Sequence, residues 1–247
     1  MGSNKEVRSL LVSLGMTIPQ STEEIDNHLL DTNESIDPEL LDFYKVYSEL
    51  QTEKKQKVDK ILYHKRLVLA AEIIKVLPND MALGHLKLQK ILFFCFNHLQ
   101  IETISNYNKH RLGPYDPKLM RSIDTQLKKN KWFEYQKNEM PKYTRLEKFG
   151  QHSEWYNRYF SELDSDIKLL IRRFRNFKSS HIEVVATVYG VWKNLLNEEV
   201  VVNDSRIIEG FYNWDESKSR YSTDQIIKAR NWLTANSMEP RQGKNFF

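Results

Sequence analysis

Apolar residues recur at helical spacing along most of the chain and at strand spacing in one place. Residues 85–100 are apolar almost all round, which is typical of a helix buried in a core, and residues 181–197 have the same character. Between them, the stretch from Leu119 to Leu127 carries an apolar stripe at helical spacing. The pattern therefore predicts a mainly α protein with two central helices.

Capping residues mark where several helices begin. Asp37 and Asp116 each precede a proline, as an N-cap precedes proline at the first helical position. Ser222 and Gln225 have the spacing of a capping box. The helix that follows Asp37 is predicted to continue through a charged stretch and to end before Pro78.

The hydrophobic period changes after Asn130. Residues 132–135 and 142–146 are predicted to form two short strands around a polar turn, with a helix before and after them. Helix, hairpin and helix in this order outline a winged-helix unit. We expect a multi-helix bundle with one short, winged-helix-like β-hairpin.

Composition limits the class of protein further. The chain has 247 residues and is 40% hydrophobic, enough for one or two packed domains, and its 8 glycines and 7 prolines disfavour a turn-rich all-β fold. Its single cysteine, Cys95, cannot form an internal disulfide. No apolar run is long enough to span a bilayer, and the N-terminus lacks the apolar region of a signal peptide. We expect a cytoplasmic protein.

Charge is distributed unevenly. Residues 1–60 have a net charge of −5 and residues 61–247 a net charge of +9. We expect two units, an acidic N-terminal helical region over 1–60, with helices at 6–15 and after a capping box at Ser21, and a helical body over 61–247. The basic body is suited to phosphates or to an acidic partner protein, although a net charge of this size is also compatible with an ordinary solvated surface.

Motifs for catalysis or metal binding do not occur in the sequence. The seven histidines have no metal-ligand spacing, and no Walker loop, Rossmann fingerprint or Gly-x-Ser-x-Gly motif is present. Cys95 lies in an apolar run and is expected to be an inert core thiol. We expect no cofactor, no metal and no enzymatic activity.

The basic helix and hairpin form the first candidate site. Residues 108–150 have a net charge of +6. A winged helix lays one helix in the major groove of DNA, although such units also dock proteins. The candidates for contacting the phosphates of double-stranded DNA are Lys118, Arg121, Lys128, Lys129, Lys131, Lys142 and Arg145.

The Gly113-Pro114 turn forms the second candidate site. A rigid turn with an exposed Tyr115 near basic Lys87 and Lys90 is suited to recognising a partner. The alternative is that Tyr115 packs locally and the aspartate after it only caps a helix. The tyrosines and tryptophans of the C-terminal third are expected to be core residues, and any exposed subset would form an interface.

Two long stretches carry a family resemblance. LGHLKLQKILFFCFNHL, followed by HRLGPYDPKLMRSIDTQLKKNKWFEY, resembles the Panacea (SocA-like) domain. The longer order of VLAAEI, GPYDPKLMRSID, ATVYGVWKNLL and FYNWDESKSRYS resembles a C-terminal extension found on some type I restriction specificity subunits. The resemblance covers roughly residues 60–240.

The resemblance implies a function in prokaryotic defence without catalysis. Panacea proteins resemble antitoxins, which bind and neutralise a toxin or deliver it to a protease. By this resemblance the partner-binding residues are Lys87, Lys90, Arg111, Gly113, Pro114 and Tyr115. We expect an antitoxin-like protein whose segment 1–60 is specific for its partner, a toxin or a restriction-system subunit. The alternative is a DNA-binding accessory protein of a type I restriction-modification system that uses the basic helix and the wing. The chain has no room for two target-recognition domains, so we do not expect it to choose a methylation sequence itself.

Overall fold

The computed structural model describes the backbone of residues 38–77, 83–137 and 142–242, and side chains from residue 52 onward within those ranges. It is mainly helical with one two-stranded antiparallel sheet, so the predicted fold class is confirmed. In chain order its longer elements are α1 (Pro38–Val76), α2 (His85–Asn97), α3 (Pro117–Lys129), β1 (Phe133–Gln136), β2 (Lys142–Arg145), α4 (His152–Phe160), α5 (Asp164–Phe174), α6 (Ser179–Asn197), α7 (Asp204–Tyr212) and α8 (Thr223–Ala235). Short 3₁₀ helices lie at Ser161–Leu163 and Glu216–Arg220.

Backbone contacts divide the chain into two units, Met1–Val58 and Asp59–Phe247. The division falls within α1, close to the boundary predicted from charge. The helices predicted at 6–15 and after Ser21 lie outside the described residues. The core and the surfaces described below belong to the second unit.

The predicted helix ends are confirmed where the structure describes them. The carboxylate of Asp116 accepts hydrogen bonds from the backbone N–H groups of Lys118 and Leu119, both at 3.0 Å. Ser222 and Gln225 form the complete capping box at the start of α8. These ends are predictable because each depends on neighbouring residues alone.

The core is built around α2 and α6, the two helices predicted to be central. The rings of Phe93 and Phe94 on α2 meet Tyr189 on α6 edge-on, at centroid distances of 5.8 and 5.1 Å. Helices α7 and α8 pack against α6, and α5 packs against α2. Cys95 is completely buried, and burial raises the pKa of its thiol, as expected for an inert core residue.

The hairpin is fastened to the bundle by aromatic side chains. Strands β1 and β2 pair from Phe133 opposite Arg145 to Gln136 opposite Lys142. The ring of Tyr135 stacks on His85 at the start of α2, with centroids 3.6 Å apart. The hydroxyl of Tyr143 on β2 donates to the carboxylate of Asp124 on α3 at 2.9 Å, so the hairpin is also held beside α3.

None of the helices in the described ranges combines the length and the apolar character needed to cross a membrane.

Candidate functional site

The lysines predicted beside the Gly-Pro turn lie inside the protein. Lys87 is 1% and Lys90 0% exposed. The ammonium group of Lys87 donates to the carbonyl oxygen of Arg175 at 2.7 Å, and that of Lys90 donates to the carbonyl oxygen of Pro114. The prediction that these two lysines bind a partner is therefore corrected, because both side chains are buried and their ammonium groups donate to backbone carbonyl oxygens of this chain.

The Gly-Pro turn is held tightly against α6. Gly113 has a φ of +80°, in the left-handed region that glycine tolerates best. A Cβ atom at this position would lie 2.6 Å from the Oγ1 atom of Thr187. Both the conformation and the close approach require glycine, so the turn is part of the packed interior.

A buried charge network lies behind the turn. The carboxylate of Glu183, on α6, accepts hydrogen bonds from Lys218 and Arg220, both at 2.7 Å. Lys218 also donates to the carbonyl oxygen of Arg111 at 3.0 Å. Glu183 and Lys218 are 2% and 0% exposed. We call Lys90, Glu183, Lys218 and Arg220 the turn network, because they connect the turn, α6 and the 3₁₀ helix before α8.

Burial is the largest influence on the pKa values of the two lysines in the turn network. Removal from water lowers the pKa of Lys90 well below its ordinary value, and Glu183 only partly opposes this effect. Burial also lowers the pKa of Lys218, against the hydrogen bond to Glu183. One carboxylate facing several cations makes the network sensitive to the loss of Glu183.

The remaining residues of the predicted partner site are divided between interior and surface. Gly113 and Pro114 are buried, Tyr115 is half-buried with its ring stacked on His110 at 4.8 Å, and Arg111 is exposed. The backbone of Tyr115 pairs with Asn108 in an isolated antiparallel bridge. The local-packing alternative therefore describes the turn, and partner binding by this motif stays a prediction.

The seven predicted nucleic-acid contacts all lie on the surface. Each of Lys118, Arg121, Lys128, Lys129, Lys131, Lys142 and Arg145 is exposed, on α3, on the hairpin or between them. Lys128 forms an ion pair with Glu134 at 2.7 Å, and Lys131 forms one with Glu147 at 2.8 Å. We call this surface the basic face. All seven cations are exposed, and their contact with DNA stays a prediction.

A third surface was not predicted from the sequence. An open cavity of about 440 Å³ lies between α1, α3 and α4, and we call it the aromatic groove. Four aromatic rings line it. Those of Tyr63 and Trp155 are exposed, that of His64 is half-buried and that of Trp132 is buried. The other residues that line it are Lys60, Arg66, Leu67, Ser122, Ile123, Gln126 and Asn130.

The rings of the aromatic groove are fixed by their neighbours. The imidazole of His64 meets Trp155 edge-on at a centroid distance of 5.0 Å, and its Nδ1 atom lies 3.0 Å from the hydroxyl of Tyr159. Burial lowers the pKa of His64 and so disfavours the charged form of the ring. Rigid aromatic surfaces of this kind bind a ligand with little loss of side-chain entropy.

Two cationic side chains line the groove. Arg66 is 5% exposed, and its guanidinium donates to the carbonyl oxygen of Ile104 at 2.6 Å and to the hydroxyl of Ser122 at 2.8 Å. Lys60 is exposed at the rim. The described residues that line the groove include these two cations and no carboxylate.

The sequence signal for the groove is weak because its members are far apart. His64 and Trp155 are separated by more than ninety residues, and only the packing of α4 beside α1 brings them together. The exposed apolar residues Ile61 and Tyr63, 44% and 46% exposed, interrupt the burial pattern of α1. An amphipathic helix normally turns such side chains inward, so their exposure becomes evident only in the structure.

Comparison with known proteins identifies no relative: no family model, no curated protein and no solved structure matches the chain. Over the described ranges, no group of three or more potential ligands is arranged to hold a metal ion.

Proposed function

We propose that the chain is a non-enzymatic protein-interaction module of prokaryotic defence, antitoxin-like in action, that binds and neutralises or regulates a partner protein. The observation that carries the proposal is the aromatic groove with its exposed rim. Tyr63 is 46% and Trp155 39% exposed, and both side chains line the cavity. The resemblance of residues 60–240 to antitoxin-type sequences supports the same function.

The physics of interfaces supports a protein as the ligand of this rim. Tryptophan, tyrosine and arginine are the residues that most often dominate binding energy, and they do so from rigid pockets that exclude water. Ile61 lies one helical turn before His64 and is 44% exposed, so it extends the apolar rim along α1. A surface of this kind stabilises a complex when a partner covers it and costs solubility when it stays bare.

The test is complex formation with the products of neighbouring genes. The tagged full chain is co-expressed with each of them, and purified complexes are identified by mass spectrometry and light scattering. We expect a stable complex, and we expect co-expression to rescue growth where the neighbour is toxic. If no neighbour forms a complex and none is neutralised, the proposal fails.

The basic face favours a second candidate function, a DNA-binding accessory of a restriction-modification system. All seven predicted phosphate contacts are exposed there. Binding through phosphates releases counterions, so log Kobs should fall with log salt at a slope of about −0.9 per contact. Lys118→Gln with Lys129→Gln should reduce that slope by about two, with Lys228→Gln on α8 as control. A duplex that does not bind at low salt eliminates this candidate.

A further inference from the structure

We infer that the aromatic groove holds an acidic segment of the partner, with one aromatic side chain of that segment inserted between the rings. The inference rests on the proposed function and specifies which chemistry the groove recognises. It combines three features of the described residues: the size of the cavity, its aromatic lining and its two cations.

The dimensions of the cavity suit a side chain. Its volume of about 440 Å³ is within the range of pockets that enclose small organic groups. Tyr63, His64, Trp132 and Trp155 provide the lining on which an aromatic ring packs edge-on or offset. The amide side chains of Gln126 and Asn130 lie at the same cavity and can hydrogen-bond to a backbone that enters it.

The charge of the groove selects an anion. Lys60 and Arg66 line it, and no carboxylate of the described residues does. The carboxylate that acts most strongly on Arg66 belongs to Asp116, which already accepts from the backbone N–H groups of Asn106, Lys118 and Leu119. Carboxylates flanking the inserted ring would complement the two cations that line the groove.

The extent of the apolar rim favours a peptide over a free nucleotide. A nucleotide would fill the cavity with its base and leave Ile61 and the outer edge of Trp155 in water. A peptide continues past the cavity and covers both side chains, which are 44% and 39% exposed. The groove thus has more apolar surface than a mononucleotide needs.

The test uses a fluorescein-labelled peptide with one tryptophan flanked by glutamates, titrated with the full chain and followed by anisotropy. We expect saturable binding that weakens with salt. Lys60→Glu should weaken it about threefold, and Trp155→Ala should weaken it about tenfold or more. Gln126→Trp, which fills the cavity, should abolish it, whereas the matched Glu209→Trp on the exposed side of α7 should not.

Controls separate the outcomes. A peptide with lysines in place of the glutamates should not bind, and adenosine monophosphate should not displace the acidic peptide. Equal binding of the lysine peptide, displacement by the nucleotide, or binding that survives Gln126→Trp overturns the inference. A partner complex that persists in the Gln126→Trp variant also overturns it while leaving the proposed function intact. Failure of every partner to bind refutes the proposed function, whereas the peptide titration reports on the groove by itself.

Discussion

The turn network and the aromatic groove place different residue types in opposite settings. In the turn network, Lys90, Lys218 and Glu183 are buried and bonded to one another or to backbone carbonyls. In the groove, Tyr63 and Trp155 are large, apolar and exposed. Charged groups usually lie on the surface and large apolar groups in the interior, so each region has its residues in the less common place.

The difference separates residues that determine the fold from residues that recognise a partner. A buried charge is tolerated only where its partners are in place, so the turn network stabilises one arrangement of the turn, α6 and the 3₁₀ helix. An exposed ring contributes little to folding and much to binding. Substitutions in the network should therefore change stability, and those in the groove should change binding.

The largest effect is expected from Glu183→Ala. Removal of the carboxylate leaves Lys218 buried without its ion pair, which costs about 3–5 kcal/mol of unfolding free energy. Urea denaturation measures the loss. Lys228→Ala breaks an exposed pair with Asp224 and should cost less than about 1 kcal/mol. A loss in Glu183→Ala no larger than in Lys228→Ala would show that the network does not hold the fold.

Gly113→Ala should have the next largest effect. The substitution adds a strained left-handed conformation to a clash with Thr187, so we expect a loss of about 2–3 kcal/mol. Gly150→Ala is the matched control, because Gly150 has a φ of +93° and no neighbour within 4 Å of an added Cβ atom. It should lose only the conformational part, about 1–2 kcal/mol. Equal losses at the two positions would contradict tight packing of the turn.

Trp155→Ala should weaken partner binding by about 2 kcal/mol, roughly a thirtyfold increase in Kd. The change in unfolding free energy should be smaller than the change in binding free energy, since the side chain is 39% exposed. Leu169→Ala on α5 is the control, because Leu169 is also 39% exposed and lies outside the groove. A larger loss of folding stability than of binding would place Trp155 with the structural residues.

The smallest effect is expected in how the unfolding free energy depends on pH under acidic conditions. Burial would raise the pKa of Glu72, but hydrogen bonds from His152 and Lys75 outweigh burial and hold the pKa below its ordinary value. Because the folded pKa is depressed, the stabilisation is present above the ordinary value of 4.5 and is lost as pH falls through the folded pKa. In Glu72→Gln the unfolding free energy should fall less steeply with decreasing pH than in the exposed control Glu162→Gln. An unchanged slope would contradict the assignment.

Local features of the fold could be predicted from sequence because neighbouring residues determine them. The cap at Asp116, the box at Ser222 and the stripe from Leu119 to Leu127 each lie within one or two helical turns. The burial of Lys87 and Lys90 could not be predicted in this way, because their acceptors at Arg175 and Pro114 come from other elements. A lysine in a sequence also favours the prediction of a solvent-exposed position, since lysine is rarely buried without a partner.

The candidate sites show the same limit of prediction from sequence. The basic face was predictable since its cations are clustered in sequence and exposed cations need no particular partner. The groove depends on α1, α3 and α4 meeting, so no window of the sequence contains it.

The most direct measurement of the central claim compares the dissociation constant of the partner complex with the unfolding free energy in four chains: wild type, Glu183→Ala, Trp155→Ala and Leu169→Ala. The account predicts that Trp155→Ala weakens the complex about thirtyfold and stays folded, that Glu183→Ala loses folding stability, and that Leu169→Ala changes neither quantity appreciably. A complex that forms with wild-type affinity in Trp155→Ala would contradict it.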